Sequence, residues 1–311
     1  MTKNKKKKPL VQGLPEGFDP DGRNFRIYEG VNYETYWESP VRSRIDGFEL
    51  GLIQRLLPDQ GRRFIDLGGG YGRLVPSYIN RYEQAVLFDG SLTLLRKARE
   101  KYKSRLLYIA GNIQHIPFRT GAFDGALLVR VIQHVHDLEG SFQELHRILC
   151  GRGSLVFSYH NKRNIRQILG SIFSRSQISP FDTSSKELSR ALLSHHPKKV
   201  QTILQKSGFS AATDFGVGVL ERLRFRYNQT SPSAPVHIAL VRTLGSLKLA
   251  PWIISKTHAE GERALAKAGV LSELLQCPAC AGALMFLGHE YSCPTCDLKY
   301  PVTDGIPDFR I

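Results

Sequence analysis

With 311 residues, 41% hydrophobic and 23% charged, the chain can bury the core of a main α/β domain and still carry an appendage, so any disorder should be local. The formal net charge of +15 implies attraction to polyanions such as RNA, DNA or an anionic membrane surface, without informing on fold. No window approaches the ~20 uninterrupted apolar residues of a membrane span and no apolar stretch follows the N-terminal lysines, so a cytoplasmic protein with no transmembrane segment is expected.

In chain order, residues 1–22 lack periodicity, and Lys3, Lys5, Lys6, Lys7 and Lys8 form a self-repelling block. They predict a disordered basic tail. From Arg42, the spacing of Ile45, Phe48, Leu52, Ile53, Leu56 and Leu57 follows a helical stripe that stops at Pro58. Short apolar runs then alternate with amphipathic ones, the pattern of strand-helix units and a mostly parallel sheet with helices on both faces. Strands are expected near 63–67, 85–89, 106–110, 125–129 and 154–159. Polar residues 162–194 read as a helical insertion or lid. A helix over 197–207 should end at Gly208, where a C-terminal glycine belongs, followed by a strand near 211–215. Beyond the basic loop with Arg222, Arg224 and Arg226, an apolar helix over 236–244 and a final edge strand at 251–256 complete a main domain of residues 23–256. A short helical linker over 257–272 leads to a module at 273–311. Four of the five cysteines lie there, which favours metal over disulfides in a chain without a secretion signal.

The segment Phe64-Ile65-Asp66-Leu67-Gly68-Gly69-Gly70-Tyr71-Gly72-Arg73-Leu74 sets an acid at the end of an apolar strand, then Gly-x-Gly-x-Gly opening a helix. Such glycines let a ligand approach the backbone closely. A dinucleotide fingerprint would need a glycine where Arg73 stands, and no Gly-Lys-Ser or Gly-Lys-Thr makes a P-loop. A second strand, Ala85-Val86-Leu87-Phe88-Asp89, also ends in an acid and is followed by Gly90-Ser91. A carboxylate there can accept both hydroxyls of a ribose. Further on stand Gly111-Asn112-Ile113-Gln114-His115-Ile116-Pro117-Phe118, Ala122-Phe123-Asp124, the run from Leu127 to Val135, and Leu149-Cys150-Gly151-Arg152-Gly153.

In order and separation, these segments resemble the motifs of class I S-adenosylmethionine-dependent methyltransferases, over about residues 40–256. The resemblance implies a Rossmann-like fold and an S-adenosylmethionine cofactor. Asp66, Gly68, Gly70 and Gly72 would hold its amino-acid end and Asp89 its ribose. Asn112, where the family more often has Asp, would meet the adenine, and Ser91, Ile113 and Arg130 would add contacts. Transfer from a sulfonium mainly requires alignment and exclusion of water, aided by a base when the acceptor is weakly nucleophilic. His134, just beyond the fourth strand, is the first candidate base, ahead of His136, Tyr159 and His160; each could equally be a histidine or tyrosine with no proton-transfer role. No Asn-Pro-Pro-Tyr or Asp-Pro-Pro-Tyr tetrapeptide occurs, and Cys150 has no preceding proline, which argues against methylation of base amino groups and of pyrimidine carbons.

Cys277-Pro278-Ala279-Cys280 and Cys293-Pro294-Thr295-Cys296 are two knuckles that supply four thiolates at tetrahedral zinc spacing. Four thiolates close the site, so structural zinc is expected. The module resembles the small zinc-ribbon proteins that bind and activate methyltransferases. The methyl acceptor stays open between a small metabolite, a lipid and RNA, with nucleic-acid contact through the basic surface. The oligomeric state also stays open. The alternative is a non-catalytic RNA- or partner-binding protein on a degenerate scaffold, which the intact Asp66, glycines and Asp89 argue against.

Overall fold

The computed structural model describes residues 33–173, 179–189, 192–219 and 235–310. The basic segment 1–22 and Arg222, Arg224 and Arg226 lie outside the described residues. Helix α1 (Pro40–Leu56) starts behind Ser39 with proline in its first turn, where a missing N–H costs nothing. Its stripe buries Phe48, Leu52 and Ile53, each worth about 2 kcal/mol of transfer free energy.

Strands β1 (Gly61–Leu67), β2 (Tyr82–Asp89), β3 (Leu107–Gly111), β4 (Phe123–Leu128) and β5 (Leu149–His160) lie parallel in the order β3-β2-β1-β4-β5. The order reverses between β1 and β4, the point where α/β sheets open a crevice at the strand carboxyl ends. Side chains alternate across the sheet. In β1, Ile65 and Leu67 join the core under α3 (Leu138–Ile148) and α5 (Pro197–Lys206), whereas Phe64 joins the core under α1, α2 (Leu92–Tyr102) and α6 (Pro235–Ser246). Helices therefore cover both faces, as the Rossmann-like reading required.

Several local expectations are corrected. The glycine loop does not open an α-helix: residues 70–74 turn, and a single 3-10 turn follows at Val75–Ser77. Pro76 cannot donate the N–H that an α-helix starting in this loop would need. The fifth strand starts before the expected 154–159: segment 149–153 is its irregular first part, with Arg152 at φ 64°. The final antiparallel strand β9 (Trp252–His258) is not at the edge; it lies between β5 and β8 (Thr213–Val217), which is the edge. Its near-continuous burial, with Ile253, Ile254, Ser255 and Thr257 all buried, befits a strand covered on both faces and paired on both sides. The 162–194 insertion holds helix α4 (Ile165–Ile172) and also an antiparallel hairpin, β6 (Lys186–Ser189) with β7 (Leu192–Ser194).

The 257–272 segment is not helical apart from a 3-10 turn at its end. It is strapped to the sheet by backbone bonds from Gly151 N to Arg263 O and from Ala266 N to Gly121 O, and by the Arg63 guanidinium donating to Ala266 O. The cysteine module then adds β10 (Met285–Phe286), β11 (Glu290–Ser292), β12 (Lys299–Thr303) and β13 (Ile306–Phe309). Strand β13 pairs in parallel with β3, so the cysteine module joins the sheet of β1 to β5, which has 11 strands among the described residues. Ile306 enters one core and Phe309 the other. No described helix is long and apolar enough to cross a membrane.

Candidate functional site

At the switch point a pocket is lined by Asp66, Gly68 to Tyr71, Arg73, Leu74, Phe88 to Gly90, Leu94, Gly111, Ile113 and Val129 to Val131, with His134. The pairing of β1 with β2 sets Leu67 beside Phe88, so the two strand-end acids face one crevice. Gly68 and Gly70 have φ of 69° and 55°, a region that costs a residue with a Cβ about 1 kcal/mol or more. A Cβ on Gly68 would also stand 2.3 Å from Val131. The loop's curvature is held from the neighbouring strand: Gly70 N donates to Asp89 Oδ2 at 2.8 Å, and Ser91 N donates to Asp89 Oδ1 at 2.8 Å.

Asp66 is buried, and desolvation pushes its carboxyl up to about 7. The Tyr78 hydroxyl donates to its Oδ2 at 3.0 Å and Arg73 also opposes the rise, while Asp89 adds to it. A buried acid poised near neutrality is suited to meet a cationic ligand group.

Of the expected site residues, the fold brings Asp66, Gly68, Gly70, Asp89, Ile113, Arg130 and His134 to this pocket. Three others do not line it. Gly72 (φ 82°) packs against Tyr102, whose hydroxyl donates to its carbonyl at 3.0 Å. Ser91 is fully buried and caps α2, its Oγ accepting from Leu94 N at 3.3 Å. The Asn112 side-chain Oδ1 accepts from Gln114 N at 3.0 Å, and its neighbours Gly111 and Ile113 form the wall. Among the secondary candidates, His136 is exposed outside the pocket and Tyr159 is buried in the core. His160 Nδ1 lies 2.8 Å from Ser194 Oγ in the insertion.

An ion cluster beside the pocket escaped the sequence reading. Glu49 of α1, fully buried, receives Arg130 Nε at 3.1 Å and Nη2 at 2.5 Å, and Arg73 Nη2 at 3.2 Å. Arg73 also pairs with Asp46. Burial alone would raise the Glu49 carboxyl, but the two guanidiniums outweigh it and hold it below its usual range. The Arg130 guanidinium lies 4.1 Å from the Trp252 ring centre and 4.9 Å from that of Trp37. Its backbone sits at φ 60°, with N donating to Ser158 Oγ at 2.8 Å. The available signal was Glu49 itself, an acid inside the apolar stripe of α1.

In the cysteine module, the sulfurs of Cys277, Cys280, Cys293 and Cys296 all lie within 4.8 Å of one another. Cys277–Cys296 and Cys280–Cys293 are 3.6 Å and 3.5 Å apart, near the ~3.8 Å edge of a tetrahedron with ~2.3 Å metal–sulfur bonds. The two knuckles repeat one geometry. Ala281 N donates to Cys277 O and Asp297 N to Cys293 O, and Ala281 and Asp297 both have φ near 60°. The cluster is compatible with a metal.

Residues 65–157 match the family model described as a methyltransferase domain. The demethylmenaquinone methyltransferase of Thermobifida fusca is 25% identical over 144 residues, 44% of this chain and 56% of that protein. The malonyl-[acyl-carrier protein] O-methyltransferase of Geobacter sulfurreducens is 23% identical over 71% of this chain and 79% of its own. The chain thus spans little more than half of the Thermobifida relative. Among solved structures, a SAM-dependent methyltransferase from Thermotoga maritima superposes with a TM-score of 0.52 at 18% identity, covering 76% of this chain and all of that one. A complex of the Haloferax volcanii Trm112 methyltransferase activator with a methyltransferase gives 0.53 at 15% identity, covering 76% and 98%. The fold is that of S-adenosylmethionine-dependent methyltransferases, and residues 65–157 are similar to the methyltransferase-domain family.

Proposed function

We propose that the chain is an S-adenosylmethionine-dependent methyltransferase acting on a small or lipid-like acceptor. The observation that carries this reading is the convergence of Asp66, the open glycine loop and Asp89 on one crevice. The donor set suits the cofactor: a buried acid for an ammonium, a second acid for ribose hydroxyls, and a loop where a Cβ on Gly69 would crowd the Asp66 carboxylate to 3.0 Å. When bound, the cofactor supplies an electrophilic methyl group. Asp66 would hold its amino group and Asp89 its ribose, with Ile113 against the adenine. Gly72, Ser91 and Asn112 would shape this site from behind. Arg130, held by Glu49 and two tryptophans, would fix the wall facing the methyl-bearing end, and His134 would take the acceptor's proton. The apolar wall of Leu74, Leu94, Val129 and Val131 would exclude water from the reacting atoms, as displacement requires.

The domain division proposed is a main domain over 23–256, a strap over 257–272 and a zinc ribbon over 273–311. Cys277, Cys280, Cys293 and Cys296 would hold one structural zinc. Gln276 N donates to Pro117 O, and Arg310 Nη1 donates to Gly90 O at 3.1 Å, so the ribbon braces the 112–118 turn and the loop after β2. It would do within one chain what an activator does in the Haloferax complex. The name of the Thermobifida relative supports a small or lipid-like acceptor over RNA.

The test is incubation of purified protein with methyl-labelled cofactor and fractionated cell extract. Label is expected in the metabolite or lipid fraction and lost in Asp89→Ala; label in RNA alone, or in no fraction, rejects the reading.

A further inference from the structure

Among the described residues fifteen large hydrophobic side chains are exposed, and six of them lie in the 162–194 insertion: Ile165, Leu169, Ile172, Phe173, Phe181 and Leu188. A tenth of the chain thus carries two-fifths of the exposed apolar groups, which scatter alone does not explain. In α4, Ile165, Ile168, Leu169 and Ile172 recur at the spacing of a stripe that ordinarily faces a core. Yet no residue of α4 is buried, and Ile172 and Phe173 are 63% and 65% exposed. The stripe nevertheless has a fixed base. Asn164 caps the helix, Ile165 N donates to Leu249 O at 2.9 Å, and Asn161 Nδ2 donates to Lys248 O and Ala250 O, both at 2.8 Å.

Charge selects the occupant. Neither α4 nor α6, which leads into the 248–250 turn that anchors α4, contains a carboxylate, while Arg166 and Arg242 are exposed on them; the exposed acids of the insertion, Asp182 and Glu187, stand beside Phe181 and Leu188, outside α4, and Asp182 is paired with Lys162. An apolar stripe flanked by arginine without acids complements an anionic lipid head-group layer, and the +15 charge of the chain adds long-range attraction. We propose that α4, with Phe173 at its end, seats in the interface of an anionic bilayer. The same insertion reaches the pocket: β7 packs on the 132–134 turn, and His195 Nε2 lies 3.1 Å from Ile132 O. A lipid-soluble acceptor would then reach His134 from the membrane side, a consequence that rests on the methyltransferase reading; the membrane seat itself does not.

The test is sedimentation of the full chain with vesicles of phosphatidylcholine containing roughly 30% phosphatidylglycerol. Binding is expected, weakened at least roughly tenfold in Ile172→Asp and Phe173→Asp, with thermal unfolding and S-adenosylmethionine binding unchanged. In Phe173→Trp, the added indole fluorescence should shift to the blue on vesicles. Equal binding by wild type and both Asp variants would assign attachment to the N-terminal lysines and overturn the proposal. Absence of vesicle binding, or self-association through this face that Ile172→Asp abolishes, would overturn it too. Failure to bind S-adenosylmethionine would sink the proposed activity and leave the vesicle result standing.

Discussion

Asp66 couples folding to pH. Its carboxyl ionises at an ordinary 3.8 when unfolded and about 7 when folded. Between those values the folded state keeps a proton that the unfolded state has lost, so the ligand-free protein should lose stability as pH rises from about 4 to 7. Thermal unfolding across this range should slope downward in the wild type and flatten in Asp66→Asn; identical slopes would contradict the assignment. A bound ammonium reverses the preference, so S-adenosylmethionine affinity should climb with pH up to about 7 and then level off. Glu49 is the opposite case, an acid kept charged by its partners. Glu49→Gln strands two guanidiniums beside the pocket and should cost about 3 kcal/mol of stability, read by denaturant unfolding. Asp46→Asn, at the partly exposed end of the cluster, should cost well under half of that.

At the scale of elements, the cysteine module is wedged into the sheet. Cys277, Cys293, Tyr300 and Phe309 belong to the same core as Ile109 and Phe118. Loss of the cysteine cluster should therefore unseat β13 and bare the edge of β3. Cys293→Ser should abolish the expected single zinc per chain, measured by metal analysis, and lower S-adenosylmethionine affinity through the 112–118 turn. An unchanged affinity would reduce the ribbon to a bystander. Sequence made the parallel strands, the pocket acids and the cysteine knuckles legible, because each is a local pattern: an apolar run, an acid at its end, a doubled spacing. It hid what depends on partners far along the chain. Nothing in Trp252–His258 tells that two strands will flank it, and nothing in Ile306–Phe309 names β3 as its neighbour. Pro76, by contrast, was a readable obstacle to a helix after the glycine loop, and Glu49 a readable intruder in an apolar stripe.

At the scale of the whole molecule, one crevice is surrounded by three devices of different origin. Helix α1 supplies the buried acid that fixes Arg73 and Arg130, the cysteine module braces the loops behind the pocket, and the insertion packs on the turn bearing His134. Each serves methyl transfer only if the pocket grips an adenosyl sulfonium. Calorimetric titration with S-adenosylmethionine tests that grip directly. One saturating site is expected, with affinity falling roughly a hundredfold in Asp89→Ala, the loss of two charge-assisted hydrogen bonds. No heat with the wild type, or equal affinity in Asp89→Ala, would contradict the account.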